Sequence, residues 1–179
     1  MVRPLGAEIV RLPIVRKIAV VGCGGAGKST FSRALGARLG LPVTHLDRLF
    51  WQPGWVETPA DQWREIQREL VTADSWVLDG NYIKAADIRL TAADTVIFLD
   101  FPRWLCLTRV LRRTIASGRR DTQAPGCPDK VDWEFLTWIW QFRANTRPRV
   151  LAAMAEHGAN AEHVILSSPR EVRAFLDRL

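Results

Sequence analysis

The sequence predicts a three-layer α/β/α fold, with a five-stranded parallel sheet between two layers of helices. Short apolar runs of strand length alternate along the chain with longer segments of helical periodicity. Glycine, proline or aspartate ends several of the runs, as is typical where a buried parallel strand reaches the edge of its sheet. The chain has 179 residues, enough for one domain with a sizeable core, and 47% of them are hydrophobic.

The first half of the chain is predicted to contain three strands and two helices. A helix over 27–39 follows the first strand and is expected to end at Gly40. A second helix is expected to begin with Thr58 as its cap and Pro59 at its first position. The aromatic segment 47–57 between them is predicted to be a loop. The three strands are predicted at 17–21, 42–46 and 75–79.

The second half adds two strands and three helices. The segment 118–130 is polar and rich in turn residues. Pro148 is expected to interrupt the helix before it, which then resumes to about residue 156. Residues 168–171 have the spacing of a capping box and begin the last helix. The other elements are predicted at 94–100, 103–117, 132–147 and 163–167.

A single domain is predicted over residues 16–179, after an N-terminal extension at 1–15. No apolar run is long enough to span a bilayer, and the N-terminus lacks the apolar stretch of a secretory signal. The three cysteines lack CxxC spacing, which favours reduced thiols. We therefore expect a cytoplasmic protein without a membrane partner.

Positive charge is concentrated in one part of the chain. The net charge is +6, and the segment 102–149 alone contains ten arginines and lysines against four carboxylates. Nine of the ten cations are arginines, whose guanidinium groups suit forked contacts with phosphate oxygens. A solvated basic face is the competing interpretation.

Residues 22–29, GCGGAGKS, match the phosphate-binding P-loop motif GxxxxGK[ST], between a predicted strand and a predicted helix. Glycines let backbone N–H groups approach phosphate oxygens, and the helix start offers the positive end of its dipole. Lys28 is expected to reach the β- and γ-phosphates, and Ser29 to bind Mg²⁺. Because no Asn-Lys-x-Asp guanine motif is present, ATP is favoured over GTP. The predicted nucleotide-binding residues are Gly22, Gly24, Gly25, Ala26, Gly27, Lys28, Ser29 and Thr30.

Three carboxylates, those of Asp47, Asp79 and Asp100, follow or end predicted strands. Ligands of an open parallel sheet bind beyond the carboxyl ends of its strands, so each is a candidate site residue. Asp79 is preferred as the support for Mg²⁺, with Asp100 as the alternative. Asp47 is predicted to accept a proton from an acceptor hydroxyl or to hold water on Mg²⁺. The competing interpretations are a strand-end cap and, for Asp47, an Asx-turn.

Residues 45–55, HLDRLFWQPGW, resemble the HLDxxFWxPGW signature of small adenylate-kinase-related P-loop proteins, a family often labelled DNA topology modulation proteins. The resemblance covers about residues 16–179. It implies a nucleoside-monophosphate-kinase-like fold with a lid, and phosphoryl transfer to a small molecule. Further matching segments lie at 78–82, 98–103, 126–128 and 134–140.

True adenylate kinases carry Asp-Gly-Phe-Pro-Arg at a strand end, and its arginine contacts the acceptor nucleotide. Here Asp79 and Gly80 are followed by Asn-Tyr-Ile-Lys, which argues against AMP as the acceptor. Arg89 is a candidate substitute for the missing arginine. The position of Asp47 before aromatic residues is more similar to uridine kinases, in which such an aspartate is the proposed base.

Two tryptophans lie beside the expected acceptor site. Trp51 is predicted either to stack on a base or sugar or to pack in the core, and for Trp55 core packing is favoured. The arginine-rich segment 102–149 is interpreted as a lid that brings positive charge to the γ-phosphate and excludes water. Arg103 and Arg149 are instead expected to be surface cations.

Together these features predict an ATP- and Mg²⁺-dependent P-loop kinase acting on a nucleoside, nucleotide or similar small molecule. One alternative is a nucleotide-dependent DNA-binding regulator, which a pI of about 9.9 permits although no DNA-binding motif is visible. Another is a hydrolase that uses water as the acceptor. The predicted catalytic residues are Lys28, Asp47, Arg113, Arg120 and Arg147. The predicted acceptor contacts are Asp47, Trp51 and Arg89, and the predicted metal residues are Ser29 and Asp79.

Overall fold

The computed structural model describes residues 15–117, 124–127 and 133–179. Five parallel strands form its main sheet in the order β2-β5-β1-β6-β7, and helices cover both faces. The strands are β1 (Lys17–Gly22), β2 (Val43–His45), β5 (Trp76–Asp79), β6 (Thr95–Leu99) and β7 (Glu162–Leu166). A separate antiparallel hairpin pairs β3 (Trp51–Gln52) with β4 (Val56–Glu57). The predicted fold class is confirmed, and the strand that leads into the P-loop lies at the centre of the sheet.

Eight α-helices connect the strands in the described part of the chain. They are α1 (Lys28–Leu39), α2 (Asp47–Phe50), α3 (Ala60–Val71), α4 (Ala86–Ala92), α5 (Arg103–Ser117), α6 (Trp133–Gln141), α7 (Arg147–His157) and α8 (Pro169–Leu176). A 3₁₀ turn (Ile83–Ala85) precedes α4, and a π-helical turn (Phe142–Thr146) joins α6 to α7. None of these helices combines the length and the apolar character needed to cross a bilayer.

The core lies along the central strands. Every residue of β6 is buried, and so are the last five residues of β1. The three cysteines, Cys23, Cys106 and Cys127, are also buried, and none forms a disulfide. This continuous burial is what a parallel sheet covered on both faces requires, and it fixes the strand ends that carry the site.

The segment 47–57 is not a loop, contrary to the prediction. It forms helix α2 and the β3–β4 hairpin. The Thr58 hydroxyl donates to the carbonyl oxygens of Leu49 and Phe50, at 3.2 and 2.7 Å, and does not cap α3. Helix α3 therefore begins one residue after Pro59. The reason is that Thr58 closes the hairpin segment against the end of α2.

The predicted helix over 132–147 is divided. Helix α6 ends at Gln141, the wider π-helical turn follows, and Pro148 lies in the first turn of α7. A proline is tolerated there because the first N–H groups of a helix have no intrahelical acceptor. The predicted start of the last helix is confirmed, since the Ser168 hydroxyl accepts from the Glu171 N–H at 3.2 Å.

Candidate active site

A cleft of about 1420 Å³ opens at the carboxyl ends of the central strands. Small-ligand sites usually measure roughly 300–1,000 Å³, so this cleft has room for two substrates side by side. The P-loop forms one wall. The hairpin segment and the loop after β5 form the other, and parts of α5, α6 and α8 complete the rim.

The P-loop wall is shaped by its backbone. Gly25 and Gly27 have φ values of 79° and 89°, in the left-handed region that favours glycine. A Cβ atom at Gly25 would collide with the Cys106 carbonyl oxygen of α5, so the loop lies directly against that helix. The Lys28 ammonium folds over the loop and donates to the carbonyl oxygens of Gly22 and Cys23, at 3.1 and 3.2 Å.

Seven of the eight predicted nucleotide-binding residues line the cleft, namely Gly24, Gly25, Ala26, Gly27, Lys28, Ser29 and Thr30. Gly22 does not, because it ends β1 with the Leu99 carbonyl oxygen 2.8 Å from where a Cβ would stand. The first N–H groups of α1 point out of the helix without intrahelical acceptors. With the Lys28 ammonium beside them, these donors fit a polyphosphate.

Asp47 is the first residue of α2 and also lines the cleft. One of its carboxylate oxygens, Oδ1, accepts a hydrogen bond of 2.6 Å from the Tyr82 hydroxyl. Burial, followed by the charge of Asp47, raises the pKa of Tyr82 far above its usual range. Tyr82 therefore stays protonated and donates, which fixes the orientation of the carboxylate.

The hairpin tryptophans Trp51 and Trp55 both line the cleft, and their rings meet edge to face at 5.5 Å. The expected core packing of Trp55 is therefore not observed. A short segment from the region between α5 and α6 holds the hairpin, because the Gly54 N–H donates to the Gly126 carbonyl at 2.9 Å. The Cys127 thiol likewise donates to the Gln52 carbonyl at 3.2 Å.

The other two strand-end carboxylates have protein partners. Asp79 lies on β5 beside β1, as expected, but it is buried and its Oδ2 lies 2.8 Å from Nδ1 of His45. His45, not Asp79, lines the cleft. Asp100 accepts a bond of 2.8 Å from Nε of Arg147, so this predicted catalytic arginine is tied to a strand end and does not line the cleft.

The predicted lid arginines have three different placements. Arg113 lines the cleft, Arg147 does not, and Arg120 lies outside the described residues. Arg149, expected to be a surface cation, lines the cleft. Arg103 does lie at the surface, 4.0 Å above the ring of Trp140.

Five further arginines line the cleft, namely Arg33, Arg48, Arg64, Arg109 and Arg173. Arg109 lines it and donates to the Ala26 carbonyl at 3.1 Å. Arg109 belongs to the segment predicted as a lid, one helical turn before Arg113, whereas the other four arginines were not predicted to lie at the site. Arg173 of α8 also lines the cleft, as do Pro169 and Val172. The position of α8 directly after the last strand could have pointed to them, because ligands gather beyond strand ends.

Arg89 is the clearest correction. It was predicted to contact the acceptor, yet it has no exposed surface and does not line the cleft. Its guanidinium donates instead to the carbonyl oxygens of Gly80, Asn81 and Tyr82 and to the side chain of Gln67. Arg89 lies on α4, a helix that sequence periodicity did not reveal, and the carbonyl oxygens of the loop after β5 hold its guanidinium.

Sequence comparison gives little functional information. No family model matches the chain. One similar curated protein is the "Uncharacterized protein YqaC" of Bacillus subtilis (strain 168). It is 28% identical over 128 residues, which cover 69% of this chain and 70% of that protein. The DNA topology modulation label is not confirmed.

Similar solved structures are small kinases. The shikimate kinase from Acinetobacter baumannii in complex with shikimate has a TM-score of 0.58 and 20% identity, covering 92% of this chain and 90% of that one. A gluconokinase from Sinorhizobium meliloti 1021 has a TM-score of 0.53 and 18% identity, covering 92% and 93%. A sugar kinase from Janibacter sp. HTCC2649 has a TM-score of 0.51 and 17% identity, covering 91% and 93%. The chain therefore has the fold of small P-loop kinases of the nucleoside-monophosphate-kinase type.

Proposed function

We propose that this protein transfers the γ-phosphoryl group of ATP to an oxygen atom of a small-molecule acceptor. The observation that carries the proposal is that the P-loop, from Gly24 to Thr30, and the carboxylate-bearing residue Asp47 line one and the same cleft. The volume of the cleft suits a nucleotide beside a second substrate. The kinase fold supports phosphoryl transfer over other uses of a P-loop.

The nucleotide is proposed to lie along the P-loop towards α8. Its phosphates would meet the N–H groups at the start of α1 and the ammonium of Lys28. Its base would lie between Arg109 and the start of α8, where Pro169, Val172 and Arg173 face the same cleft. A guanidinium and an aliphatic surface suit a flat aromatic base on its two faces.

Mg²⁺ is proposed to be held by the Ser29 hydroxyl together with the nucleotide phosphates, where it would neutralise charge on the β- and γ-phosphates. Within the described residues, no group of three histidine, cysteine, aspartate or glutamate side chains could hold a metal ion. This fits a metal that arrives with its nucleotide. Asp79, bonded to His45 on the strand next to the P-loop strand, is proposed to support the metal indirectly.

The proposed step is an in-line displacement at the γ-phosphorus. The acceptor oxygen forms a new bond to phosphorus, the bond to the β–γ bridging oxygen breaks, and ADP leaves with that electron pair. The acceptor proton passes to the carboxylate of Asp47, which the Tyr82 hydroxyl orients. Lys28 and Arg113 stabilise the charge on the transferring group, and the arginine-rich segment 102–149 is proposed to close over it as a lid.

The acceptor is proposed to lie against the tryptophan wall of the hairpin. Trp51 and Trp55 line the cleft next to Asp47, and an indole can pack against a nucleobase or a sugar face. The acceptor would therefore be a nucleoside, a nucleotide or a similar molecule that has both a flat face and a free hydroxyl or phosphate oxygen.

The test is a screen of nucleosides, nucleotides and sugars for acceptor-stimulated ADP release from Mg·ATP. One acceptor class is expected to stimulate release in the wild-type protein, and Lys28→Ala is expected to abolish it. Asp47→Asn is expected to lower the acceptor-dependent rate by about 10²–10⁴-fold while nucleotide affinity stays unchanged, because it removes a proton acceptor. Asp74→Asn, at an exposed turn after α3, is the matched control and should behave as wild type.

Three results would contradict parts of the proposal. Rapid ATP hydrolysis that no acceptor stimulates would favour a hydrolase. Tight DNA binding with a steep salt dependence and no turnover would favour a regulator. Acceptor-dependent ADP release that survives in Asp47→Asn would remove Asp47 from the mechanism and leave the kinase activity standing.

A further inference from the structure

Arg89 of α4 is a buried cation next to the loop after β5, which forms part of the same cleft wall as the hairpin. Its side chain has no exposed surface, and burial lowers its pKa to about 10, so it remains protonated near neutral pH. Its hydrogen bonds go to four neutral oxygens, those of Gln67, Gly80, Asn81 and Tyr82. Burying a charge is costly unless its hydrogen bonds are satisfied, so these four contacts must hold the guanidinium in place.

Three of the four oxygens belong to consecutive residues of one loop. The guanidinium donates to the carbonyl oxygens of Gly80, Asn81 and Tyr82 at 3.2, 2.6 and 3.3 Å. Three carbonyl dipoles that point at one spot repel each other, and a cation at that spot turns the repulsion into attraction. The conformation of loop 80–82 is thus the one in which its carbonyl oxygens converge on Arg89.

The same loop contacts both walls of the cleft with its side chains. The side-chain oxygen of Asn81 accepts from the N–H of Gly22, where β1 passes into the P-loop, at 3.3 Å. The Tyr82 hydroxyl donates to Asp47 at 2.6 Å. A shift of the loop backbone would therefore move Asn81, which contacts the start of the P-loop, and Tyr82, which contacts the candidate base Asp47, at the same time.

We infer that Arg89 is a positioning residue: by holding the three carbonyl oxygens of loop 80–82, it places Tyr82 on Asp47 and Asn81 on the start of the P-loop. The functional part of this inference rests on the proposed role of Asp47 in phosphoryl transfer. The geometric part concerns only Arg89, the loop and Tyr82, and it is measurable without any acceptor.

Tyr82 offers a direct probe, because it is the only tyrosine of the chain. Protein labelled with ¹³C at the tyrosine ζ carbon gives a single NMR signal, whose shift reports the hydrogen bond of the phenol. Asp47→Asn calibrates the shift that follows loss of the charged acceptor. Arg89→Met is expected to move the signal in the same direction, because the loop no longer presents Tyr82 to Asp47.

The matched control is Arg68→Met. Arg68 lies on the neighbouring helix α3, is exposed, and pairs with Glu65 at 2.7 Å, so the Tyr82 signal should not move. Gln67→Met is a milder second variant in case Arg89→Met does not fold, since it removes one oxygen that holds Arg89 and leaves the loop sequence intact. It is expected to shift the signal in the same direction by a smaller amount.

Kinetics provide the functional readout. Arg89→Lys keeps the charge but cannot reach all three carbonyl oxygens with the geometry of a guanidinium. It is expected to lower kcat of the acceptor-dependent reaction by about tenfold, with a smaller change in acceptor KM. An unmoved Tyr82 signal in both Arg89→Met and Gln67→Met would overturn the inference. A moved signal in a protein that no acceptor stimulates would retain the positioning role and reject the proposed function.

Discussion

The two walls of the cleft are built in different ways. The phosphate wall comes from one continuous stretch, residues 24–30, and uses mainly backbone groups and glycine conformations. The second wall, at which the acceptor is proposed to bind and which we call the acceptor wall, combines α2, the β3–β4 hairpin and loop 80–82. It uses side chains whose partners lie far apart in sequence, such as Asp47 and Tyr82. The buried Arg89 and the segment 124–127 hold this second wall from behind.

Because of this difference, one wall of such a fold can stay constant while the other wall changes with the substrate. A backbone cradle binds any nucleotide polyphosphate, so it can stay the same while the acceptor changes. A wall of side chains held by long-range contacts can be replaced piece by piece.

Among Gly25→Ala, Tyr82→Phe and Trp51→Leu, the largest effect is expected for Gly25→Ala at the phosphate wall. Gly25→Ala places a Cβ against the Cys106 carbonyl oxygen at a φ of 79° and should lower nucleotide affinity by on the order of 100-fold, as overpacking distorts the cradle. Gly40→Ala is the matched control, because Gly40 has a φ of 66° with no atom near its Cβ position. Titration of both variants with a fluorescent ATP analogue measures the difference. Equal affinities would show that the loop is not held against α5.

A smaller effect is expected at the centre of the acceptor wall. Tyr82→Phe removes the donor to Asp47 and should lower kcat by about tenfold, the low end of what a hydrogen bond to a charged group contributes, about 1.5–3 kcal/mol. Nucleotide affinity should be unchanged, because Tyr82 contacts Asp47 rather than the P-loop. Steady-state kinetics and nucleotide titration on the same preparation separate the two. An equal loss in kcat and in nucleotide affinity would mean that the two walls are not independent.

The smallest effect is expected at the edge of the acceptor wall. Trp51→Leu removes an aromatic face from the cleft and should raise acceptor KM by about 2- to 10-fold with little change in kcat, the range expected for one aromatic contact. Trp104→Leu, at a tryptophan that is 63% exposed and does not line the cleft, is the control. An unchanged KM would place the acceptor away from the hairpin.

The predictability of the site follows the same division. The P-loop was predicted from eight adjacent residues because each of its functional groups is local: glycine dihedrals, the helix start and one lysine. Asp47 could be identified because a strand end marks it. Arg89 was predicted to contact the acceptor, since nothing in a linear pattern shows that its guanidinium binds the carbonyl oxygens of residues 80–82. Tyr82, His45 and Arg173 were missed because their roles depend on partners or neighbours at distant positions.

By itself, the sequence determined the parallel sheet, the phosphate cradle and the strand ends at which ligands gather, because these depend on hydrophobic periodicity and on the conformations that glycine permits. The tertiary structure decided which charged side chains reach the cleft. Arg147 pairs with Asp100 and does not line the cleft, whereas Arg109 lines the cleft and donates to the Ala26 carbonyl oxygen. Arg89 is fully buried and does not line the cleft. A guanidinium in a folded chain binds where several hydrogen-bond-accepting oxygens lie close together. Such groups of oxygens exist only after distant segments of the chain have packed together.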